Sequence, residues 1–399
     1  MNDPLLAFRA EFPILERTTY LVSNSLGAMP RAVPDRLAEY VDEWAELGVR
    51  AWTGPHGWWA KPVEVGNEIA PLIGAGEGEV VMVPNVTIGQ ATVLSALDYA
   101  PPRDTIVMTE LDFPSVRYVY AALAQRLGAR IVVVPSDDGI GIDVERLLAA
   151  IDDRTRLVAV SHVLFRSAFI VDAGAVCRRA HEVGALVSLD AFHSVGVMPV
   201  DVQRLGADFL TGGVLKWLCG GPGGCFLYVA PQVADRLTPA LTGWQAHARP
   251  FAFEETMTYA DDAFRWLGGT PVIPALYAAM EGPRIIRRAG IERIRDKSVR
   301  QTARLIELAE EHGFHVNAPR DPERRGGTVA FDVPHGYEVA ETLLANDVLV
   351  DYRPNAGIRV APHFYTTDEE LERVVTMIAD ILATGDWRAH GARSERGSI

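Results

Sequence analysis

The sequence has few cysteines and no long apolar run, and each shortage excludes a class of protein. Three cysteines among 399 residues, Cys177, Cys219 and Cys225, cannot build a disulfide framework, and their odd number is typical of a reducing compartment. No stretch reaches the roughly 18 uninterrupted apolar residues of a membrane-spanning helix. The first residues, MNDPLLAFRAEF, lack a basic region followed by an apolar run, so we expect no signal peptide. These features predict a cytoplasmic protein without a membrane partner.

Basic residues are scarce relative to acidic ones. The chain has 38 Lys and Arg against 52 Asp and Glu, which gives a net charge of −14. A surface of this charge repels phosphate backbones and anionic lipid, so we expect no nucleic-acid partner. Hydrophobic residues make up 48% and charged residues 23%, which excludes a mostly disordered chain.

Short apolar segments alternate with helical patterns through the middle of the chain. The segments are rich in β-branched residues and lie at 80–84, 105–110, 130–136, 156–163, 185–191, 208–213 and 225–230. Because they show no polar alternation, they predict strands that are buried on both faces, as in a parallel sheet covered by helices. The pattern therefore predicts an α/β domain.

The pattern changes from about residue 275. Two long amphipathic helices, near 272–288 and 290–313, precede short strands and a final helix, which predicts a second, smaller α+β domain. The first residues, with a helix near 31–47, are expected to pack on the small domain or on a dimer partner. The predicted division is 1–50 for this N-terminal segment, 51–271 for the large domain, 272–390 for the small domain and 391–399 for a flexible tail.

Two charged residues follow predicted strands of the α/β domain. Asp190 ends one strand and Lys216 lies just past another, and ligands of open α/β sheets bind beyond the carboxyl ends of strands. A carboxylate and an amine placed in this way suit pyridoxal phosphate, since the acid keeps the pyridine nitrogen protonated and the amine binds the aldehyde. The apolar neighbours of Lys216 favour a depressed amine pKa. The spacing alone is also compatible with a capping Asp190 and a solvated Lys216.

Eight segments carry a resemblance to a known family. They are SNSLGAMP (23–30), PNVTIGQ (84–90), LDFPSV (111–116), SHVLFRSAFIVD (161–172), DAFHSVG (190–196), LTGWQAH (241–247), FRWLGGTP (264–271) and DYRPNAGIRVAPHFYTT (351–367). In this order they resemble the kynureninases, within the class V aminotransferase branch of fold-type I pyridoxal phosphate enzymes. The resemblance implies a large domain with a mainly parallel seven-stranded sheet, a smaller α+β domain, and pyridoxal 5'-phosphate as the cofactor.

The resemblance implies a role for each residue that matches these motifs. Lys216 binds the cofactor as a Schiff base and shuttles the Cα proton, while Asp190 pairs with the ring nitrogen and His193 lies beside the cofactor. The other implied cofactor contacts are Phe113 on the ring face, Val86 and Thr87 at the phosphate, and Trp244 and Thr270 from the partner subunit. These last two imply a homodimer with shared active sites.

The substrate side of the site follows from the same resemblance. Arg359 is the expected clamp for the substrate α-carboxylate, because a planar guanidinium binds a carboxylate bidentately. Asn24 and His247 are further candidates for substrate binding, and Arg353 and Arg325 are alternative cations. The resemblance implies hydrolytic Cβ–Cγ cleavage of kynurenine or 3-hydroxykynurenine to (hydroxy)anthranilate and alanine.

Three departures from the motifs leave other reactions open. The tyrosine that precedes the Schiff-base lysine in the family is Leu215 here. The acidic residue of the family segment that LDFPSV resembles is Val116, and the Asn and Tyr that follow SHV in the family are Leu164 and Phe165. A lyase that breaks C–S or other β bonds, or an aminotransferase, needs Lys216 and Asp190 but not the tyrosine. Tyr118 or His56 are candidate substitutes for the lost polar groups.

Two further interpretations are less favoured by the residues. A non-enzymatic scaffold protein is disfavoured because Asp190, Lys216 and Arg359 are all retained. A cysteine desulfurase is disfavoured because no cysteine follows Cys225 to deliver a persulfide. The spacing of Cys219 and Cys225, with no further ligands nearby, predicts that the protein has no metal site.

Overall fold

Helices and strands alternate along the chain in a computed structural model that describes residues 3–54 and 56–390. The predicted tail, 391–399, lies outside the described residues. The strands are β1 (Thr19–Tyr20), β2 (Val80–Val83), β3 (Thr105–Thr109), β4 (Arg130–Val134), β5 (Thr155–Ser161), β6 (Leu186–Asp190), β7 (Phe209–Gly213), β8 (Cys225–Val229), β9 (His315–Val316), β10 (Val329–Asp332), β11 (Val348–Leu349), β12 (Asp351–Arg353) and β13 (Gly357–Val360). The α-helices are α1 (Val33–Leu47), α2 (Lys61–Ile69), α3 (Val86–Ser95), α4 (Pro114–Leu127), α5 (Val144–Ala149), α6 (Ala173–Glu182), α7 (Val202–Leu205), α8 (Pro231–Ala234), α9 (Ile273–Ala279), α10 (Glu281–Ala289), α11 (Ile291–Glu311), α12 (Gly336–Ala345) and α13 (Asp368–Thr384).

A seven-stranded sheet forms the centre of the larger core. Its strand order is β2-β8-β7-β6-β5-β3-β4, and the five strands from β7 to β4 are parallel, whereas β8 runs antiparallel to both of its neighbours. Each of the seven predicted segments is one of these strands. The prediction of a mainly parallel seven-stranded α/β sheet is therefore confirmed.

Polar N-cap residues precede the helices that follow several of these strands. The side chains of Asn85, Asp143, Asp172 and Asp201 each accept a hydrogen bond from a backbone N–H in the first turn of α3, α5, α6 and α7. Capping of this kind satisfies N–H groups that lack a partner within the helix. Because β5, β6 and β7 are parallel, their carboxyl ends lie at one edge of the sheet.

A four-stranded antiparallel sheet forms the centre of a second core. Its order is β12-β13-β10-β9, and its apolar residues pack with those of α11, α12 and α13. The single predicted helix at 272–288 is wrong in one respect, because α9 and α10 are separated at Met280. Pro283 has no N–H to donate to the carbonyl of residue 279, which explains the interruption.

The N-terminal segment touches both cores. β1 pairs in parallel with β11 beside the small sheet, while α1 packs against α9. The domain boundaries at 50, 271 and 390 stay predictions. Within residues 3–54 and 56–390, no helix has both the length and the apolar character needed to cross a bilayer.

Candidate active site

A cavity of about 380 Å³ lies at the carboxyl edge of the large sheet, between that sheet and the β12–β13 hairpin. Its volume falls within the range of roughly 300–1,000 Å³ that is typical of small-molecule sites. Seven of the predicted site residues line it, and they are Val86, Thr87, Phe113, Asp190, His193, Lys216 and Arg359. The fold therefore brings together residues that are up to 273 positions apart, from Val86 to Arg359.

The Lys216 amine is held by an imidazole and two aromatic rings. Its Nζ lies 2.7 Å from His193 Nε2, and it is 5.4 Å from the ring centroid of Phe113 and 5.3 Å from that of Phe192. Burial, followed by the positive charge of Arg359, lowers the pKa of Lys216, although Asp190 acts in the opposite direction. A lysine with a lowered pKa is more often in the neutral form that attacks an aldehyde.

His193 is a neutral partner for that amine. Burial and the neighbouring Lys216 hold the pKa of His193 well below its usual value. In the neutral ring, one nitrogen carries a proton and the other can accept a hydrogen bond. His193 can therefore form a hydrogen bond with the Lys216 amine without adding a positive charge.

Asp190 is a buried carboxylate whose negative charge is only partly stabilised by its neighbours. Its Oδ1 accepts a hydrogen bond of 3.0 Å from the Phe192 N–H, at the end of β6. Burial raises the pKa of Asp190, and the Phe192 N–H and Lys216 reduce that rise only in part. A cationic nitrogen placed against this carboxylate would stabilise its charged form, which is what a protonated pyridine offers.

Asp112 supports the floor of the cavity, and the sequence analysis missed it. Its two carboxylate oxygens accept hydrogen bonds of 2.7 Å from the N–H groups of Thr109 and Ser161, and so tie the ends of β3 and β5 together. Ser161 itself lines the cavity. Both residues occur in quoted motifs, but a link between strands 49 residues apart leaves no local signal in the sequence.

The N-terminus of α3 forms one wall. Asn85 caps the helix by accepting a hydrogen bond of 3.0 Å from the Ile88 N–H, and Val86 and Thr87 line the cavity. Within residues 3–54 and 56–390, no acceptor is bound to the Val86 or Thr87 N–H. Free N–H groups and the helix dipole make such an end suitable for a phosphate.

Arg359 forms a buried ion pair across the small sheet. Its Nε and Nη2 donate to the Asp351 carboxylate at 2.8 and 2.5 Å, and the two residues face each other in the β12–β13 register. Nη1 donates to the Phe165 carbonyl at 2.5 Å and Nη2 also donates to Ser25 Oγ at 3.0 Å. Four of the five guanidinium N–H bonds are thus used among the residues that the structure describes, and the Arg359 side chain also lines the cavity.

Asp351 and Ser25 are further residues that the sequence analysis did not single out. Ser25 donates to Asp351, and Arg353 lies 3.2 Å from the same carboxylate. Burial raises the pKa of Asp351, but Arg359 and Arg353 outweigh it and leave that pKa lowered. Opposite charges eight residues apart in adjacent predicted strands were the signal that could have identified this pair.

Four predicted site residues do not line this cavity. Trp244 is 39% exposed and packs edge to face on Trp59, and Thr270 lines a neighbouring cavity of about 260 Å³. His247 bonds to the Thr256 carbonyl at 3.2 Å, and Asn24 is fully buried. The role predicted for Trp244 and Thr270 belongs to a partner subunit, so it stays a prediction, as do those of His247 and Asn24.

The departures from the motifs make the cavity more apolar. Leu215 and Phe165 line it, whereas Val116 is buried in α4. Tyr118 is 71% exposed and His56 is exposed, and neither lines the cavity. The hydroxyl groups present at the wall are instead those of serines and threonine, namely Ser25, Thr87, Ser115 and Ser161.

The cofactor expected from the sequence fits these side chains. The chain has three lysines, and Lys61 and Lys297 are ion-paired to Glu64 and Asp3 at 2.9 and 2.6 Å, so Lys216 is the lysine that lines the cavity. The undercompensated Asp190 suits the pyridine nitrogen, and the α3 N-terminus suits the phosphate.

None of the three cysteines lines this cavity. Cys177, Cys219 and Cys225 are all buried, and burial raises the pKa of Cys177 and Cys219 to about 12. Within the described part of the chain, no group of three or more His, Cys, Asp or Glu is arranged to hold a metal ion.

Comparisons with known proteins agree with this geometry. A family model described as aminotransferase class-V matches residues 19–374. A kynureninase from Pseudomonas fluorescens is 34% identical, with 97% of this chain and 94% of the relative covered. A kynureninase from Burkholderia pseudomallei is 32% identical, with 97% and 95% covered.

Solved structures show the same fold. The apo cysteine desulfurase of Thermococcus onnurineus NA1 has a TM-score of 0.84 at 25% identity, with 96% of this chain and 99% of the other covered. The cystine C–S lyase C-DES, solved with its product cysteine persulfide, has a TM-score of 0.83 at 21% identity, with 92% and 99% covered. The chain belongs to the class V aminotransferase family, as a kynureninase-like, pyridoxal 5'-phosphate-dependent enzyme of fold type I.

Proposed function

We propose that this enzyme hydrolyses the Cβ–Cγ bond of kynurenine or 3-hydroxykynurenine and releases (hydroxy)anthranilate and alanine. One observation carries the proposal: a chain 34% identical to a kynureninase over 97% of its length places Lys216, Asp190 and Arg359 around one cavity. The identity supports the substrate class, and the three side chains provide what an α-amino acid and the cofactor require.

Each residue has a distinct proposed role. Bound pyridoxal phosphate would supply an electron sink for charge that develops at the substrate Cα. Lys216 would hold the aldehyde and then carry the Cα proton on its Nζ, helped by its lowered pKa. Asp190 would keep the ring nitrogen protonated, and Phe113 would cover the ring face. Val86 and Thr87 would bind the phosphate through their N–H groups.

The cavity wall would orient the substrate. Arg359 would receive the α-carboxylate with its remaining N–H and its positive charge, while Asp351 prevents the guanidinium from turning. His193 would accept or return a proton at the Lys216 amine, because the two nitrogens are within hydrogen-bond distance. The serine hydroxyls at the wall are the candidates to orient the water that attacks the γ-carbonyl.

The proposed assembly is a cytoplasmic homodimer. Trp244, Phe251 and Phe253 form an aromatic group with exposures of 39%, 54% and 76%, and this group lies beside Trp59. Contact with a second copy would cover these rings and bring Trp244 and Thr270 to the partner's phosphate site. Three buried thiols are consistent with a reducing compartment.

A second reaction is favoured by the residue before Lys216. Leu215 cannot donate a proton, so a C–S lyase, another β-elimination or an aminotransfer would meet fewer obstacles than hydrolysis. Desulfuration through a persulfide is disfavoured, because each cysteine of the chain is buried with a raised thiol pKa.

Rapid mixing of the purified holoenzyme with each candidate substrate separates these reactions. The panel contains kynurenine, 3-hydroxykynurenine, cystine and cysteine, and the Lys216→Ala variant is the control for uncatalysed turnover. Anthranilate fluorescence together with an equal amount of alanine supports the proposal. Pyruvate from a sulfur amino acid, or a keto acid with no anthranilate, contradicts it and identifies the alternative.

A further inference from the structure

The backbone that carries Lys216 is held by several parts of the chain. The Leu215 carbonyl accepts a hydrogen bond of 2.7 Å from the Gly27 N–H, and the Lys216 carbonyl accepts one of 3.0 Å from the Cys219 N–H. Gly27 packs so closely that a Cβ there would lie 2.1 Å from the Lys216 carbonyl oxygen. The loop 215–219 therefore has little freedom on its N-terminal side.

The small sheet reaches this loop through a buried histidine. His363 is 2% exposed, and its Nε2 lies 2.8 Å from the carbonyl oxygen of Trp217, the residue that follows Lys216. The two rings meet edge to face, with centroids 5.2 Å apart at an angle of 88°. Since a carbonyl only accepts, His363 must carry its proton on Nε2.

The bond to Trp217 is the hydrogen bond that the His363 imidazole makes within the described residues. Its Nδ1 is buried and has no hydrogen-bond partner among the residues that the structure describes. Burial lowers the pKa of His363 to about 3, and the Trp217 carbonyl only partly opposes this, so the ring is neutral near neutral pH. A buried polar ring with one bond is costly, which argues that the bond itself has a role.

His363 is also tied to the substrate side of the cavity. It follows Arg359 by four residues, and the chain between them is fixed because the Ala361 N–H donates to the Leu21 carbonyl at 2.7 Å. Beyond it, a turn is closed by a 2.9 Å bond from the His363 N–H to Thr366 Oγ1. One short, rigid segment thus carries both the guanidinium of Arg359 and the imidazole of His363.

We propose that His363 is a positioning residue, which fixes the Lys216–Trp217 backbone relative to Arg359 and so sets the distance between the amine and the carboxylate site. This inference rests on the proposed roles of Lys216 and Arg359. It does not depend on which amino acid is the substrate. His363 does not line the cavity, and the proposed effect passes through its hydrogen bond to Trp217.

The test compares two substitutions of nearly the same size. His363→Leu removes the donor, whereas His363→Gln keeps an N–H near the position of Nε2. The leucine variant is expected to capture pyridoxal phosphate about tenfold more slowly as apo-protein and to lose about tenfold in kcat with less than threefold change in KM, since misplaced reacting groups slow the chemical step. The glutamine variant is expected to recover both rates to within about threefold of the natural protein.

Val339→Ala is the matched control, because Val339 is fully buried in the small core, whereas Trp217 belongs to a separate apolar cluster with Val197 and Ala361. It lowers thermal stability but is expected to leave cofactor capture unchanged. If the leucine and glutamine variants behave alike, or if the leucine variant captures the cofactor at the natural rate, the proposal is wrong. Cofactor capture needs no amino acid, so an incorrect substrate assignment leaves this readout intact.

A measurement on the natural protein covers the case in which His363→Leu fails to fold. Long-range nitrogen–proton NMR of protein labelled with ¹⁵N-histidine reports the tautomer of each ring, and the signal of His363 is assigned by its absence in the glutamine variant. The Nε2–H tautomer, unchanged between pH 6 and 9, supports the hydrogen bond to Trp217. A proton on Nδ1 instead contradicts it.

Discussion

The large sheet and the small sheet present charged groups to the cavity in different ways. Asp190 and Lys216 of the large sheet lie at or beyond strand ends. The attraction between these two charges does not offset the burial of either one. Arg359 and Asp351 of the small sheet lie within adjacent strands and neutralise each other directly. The contrast distinguishes buried charges that are little compensated from buried charges that are paired within the small sheet.

The pKa directions follow the same division. Burial shifts the pKa of Asp190 upward and that of Lys216 downward, which in both cases favours the neutral form. The pKa of Asp351 is lowered despite burial, because Arg359 and Arg353 stabilise its charge. The undercompensated charges of Asp190 and Lys216 therefore suit the proposed cofactor site, and the pairing of Asp351 with Arg359 would keep the proposed substrate clamp in place.

Loss of Asp351 is expected to have the largest effect on stability. Asp351→Ala leaves the Arg359 guanidinium buried without its carboxylate, which should lower the free energy of unfolding by about 3–5 kcal/mol. Urea denaturation of the apo-protein measures this, with Asp332→Ala at an exposed position of β10 as the control. A loss below about 1 kcal/mol would mean that the pair does not hold the small sheet.

Loss of the Asp190 charge is expected to act on catalysis instead. Asp190→Asn should reduce kcat by about 100- to 1,000-fold, because a preorganised charge at the reacting group is removed. The apo-protein should keep its stability or gain slightly, since the raised pKa of Asp190 shows that burial opposes its charge. A stability loss as large as that of Asp351→Ala would contradict the view that the charge of Asp190, unlike that of Asp351, does not stabilise the fold.

The lowered pKa of Lys216 predicts the pH dependence of cofactor capture. A lysine below its usual value of 10.5 is neutral at lower pH, so the apo-protein should react with pyridoxal phosphate at a pH where an exposed lysine is still protonated. Stopped-flow absorbance between pH 6 and about 11.5 gives the midpoint of this reaction. A midpoint at or above 10.5 would contradict the burial of this amine.

The smallest effect is expected at the phosphate wall. Asn85→Ala removes the cap of α3 and should cost about 1 kcal/mol of stability, together with a weaker affinity for the cofactor. Asp143→Ala removes the corresponding cap of α5, away from the cavity, and is the matched control. Equal cofactor affinity in the two variants would show that the α3 N-terminus does not bind the phosphate.

The parts of the fold that were predicted correctly have local causes. Apolar β-branched runs identify the seven strands because a doubly covered parallel strand has no polar face. The strand-end rule places Asp190 and Lys216 at the cavity from the same runs. The break between α9 and α10 was missed, although its local cause is present in the sequence, since Pro283 lies inside the predicted helix.

The parts that were missed depend on contacts between distant segments. Asp112 bridges two strand ends, Asp351 faces Arg359 only once the small sheet has formed, and His363 meets Trp217 across 146 residues. The neighbouring rings of Trp58 and Trp59 also differ, because Trp58 is buried while Trp59 packs on Trp244. Such pairings arise from tertiary packing and leave no periodic pattern.

Borohydride reduction of the coloured holoenzyme, followed by peptide mass mapping, tests the central claim most directly. Only three lysines are present, so the assignment is unambiguous. The account predicts a reduced phosphopyridoxyl group on the peptide that contains Lys216 and its absence in Lys216→Ala. The same group on Lys61 or Lys297, or on no lysine, would contradict it.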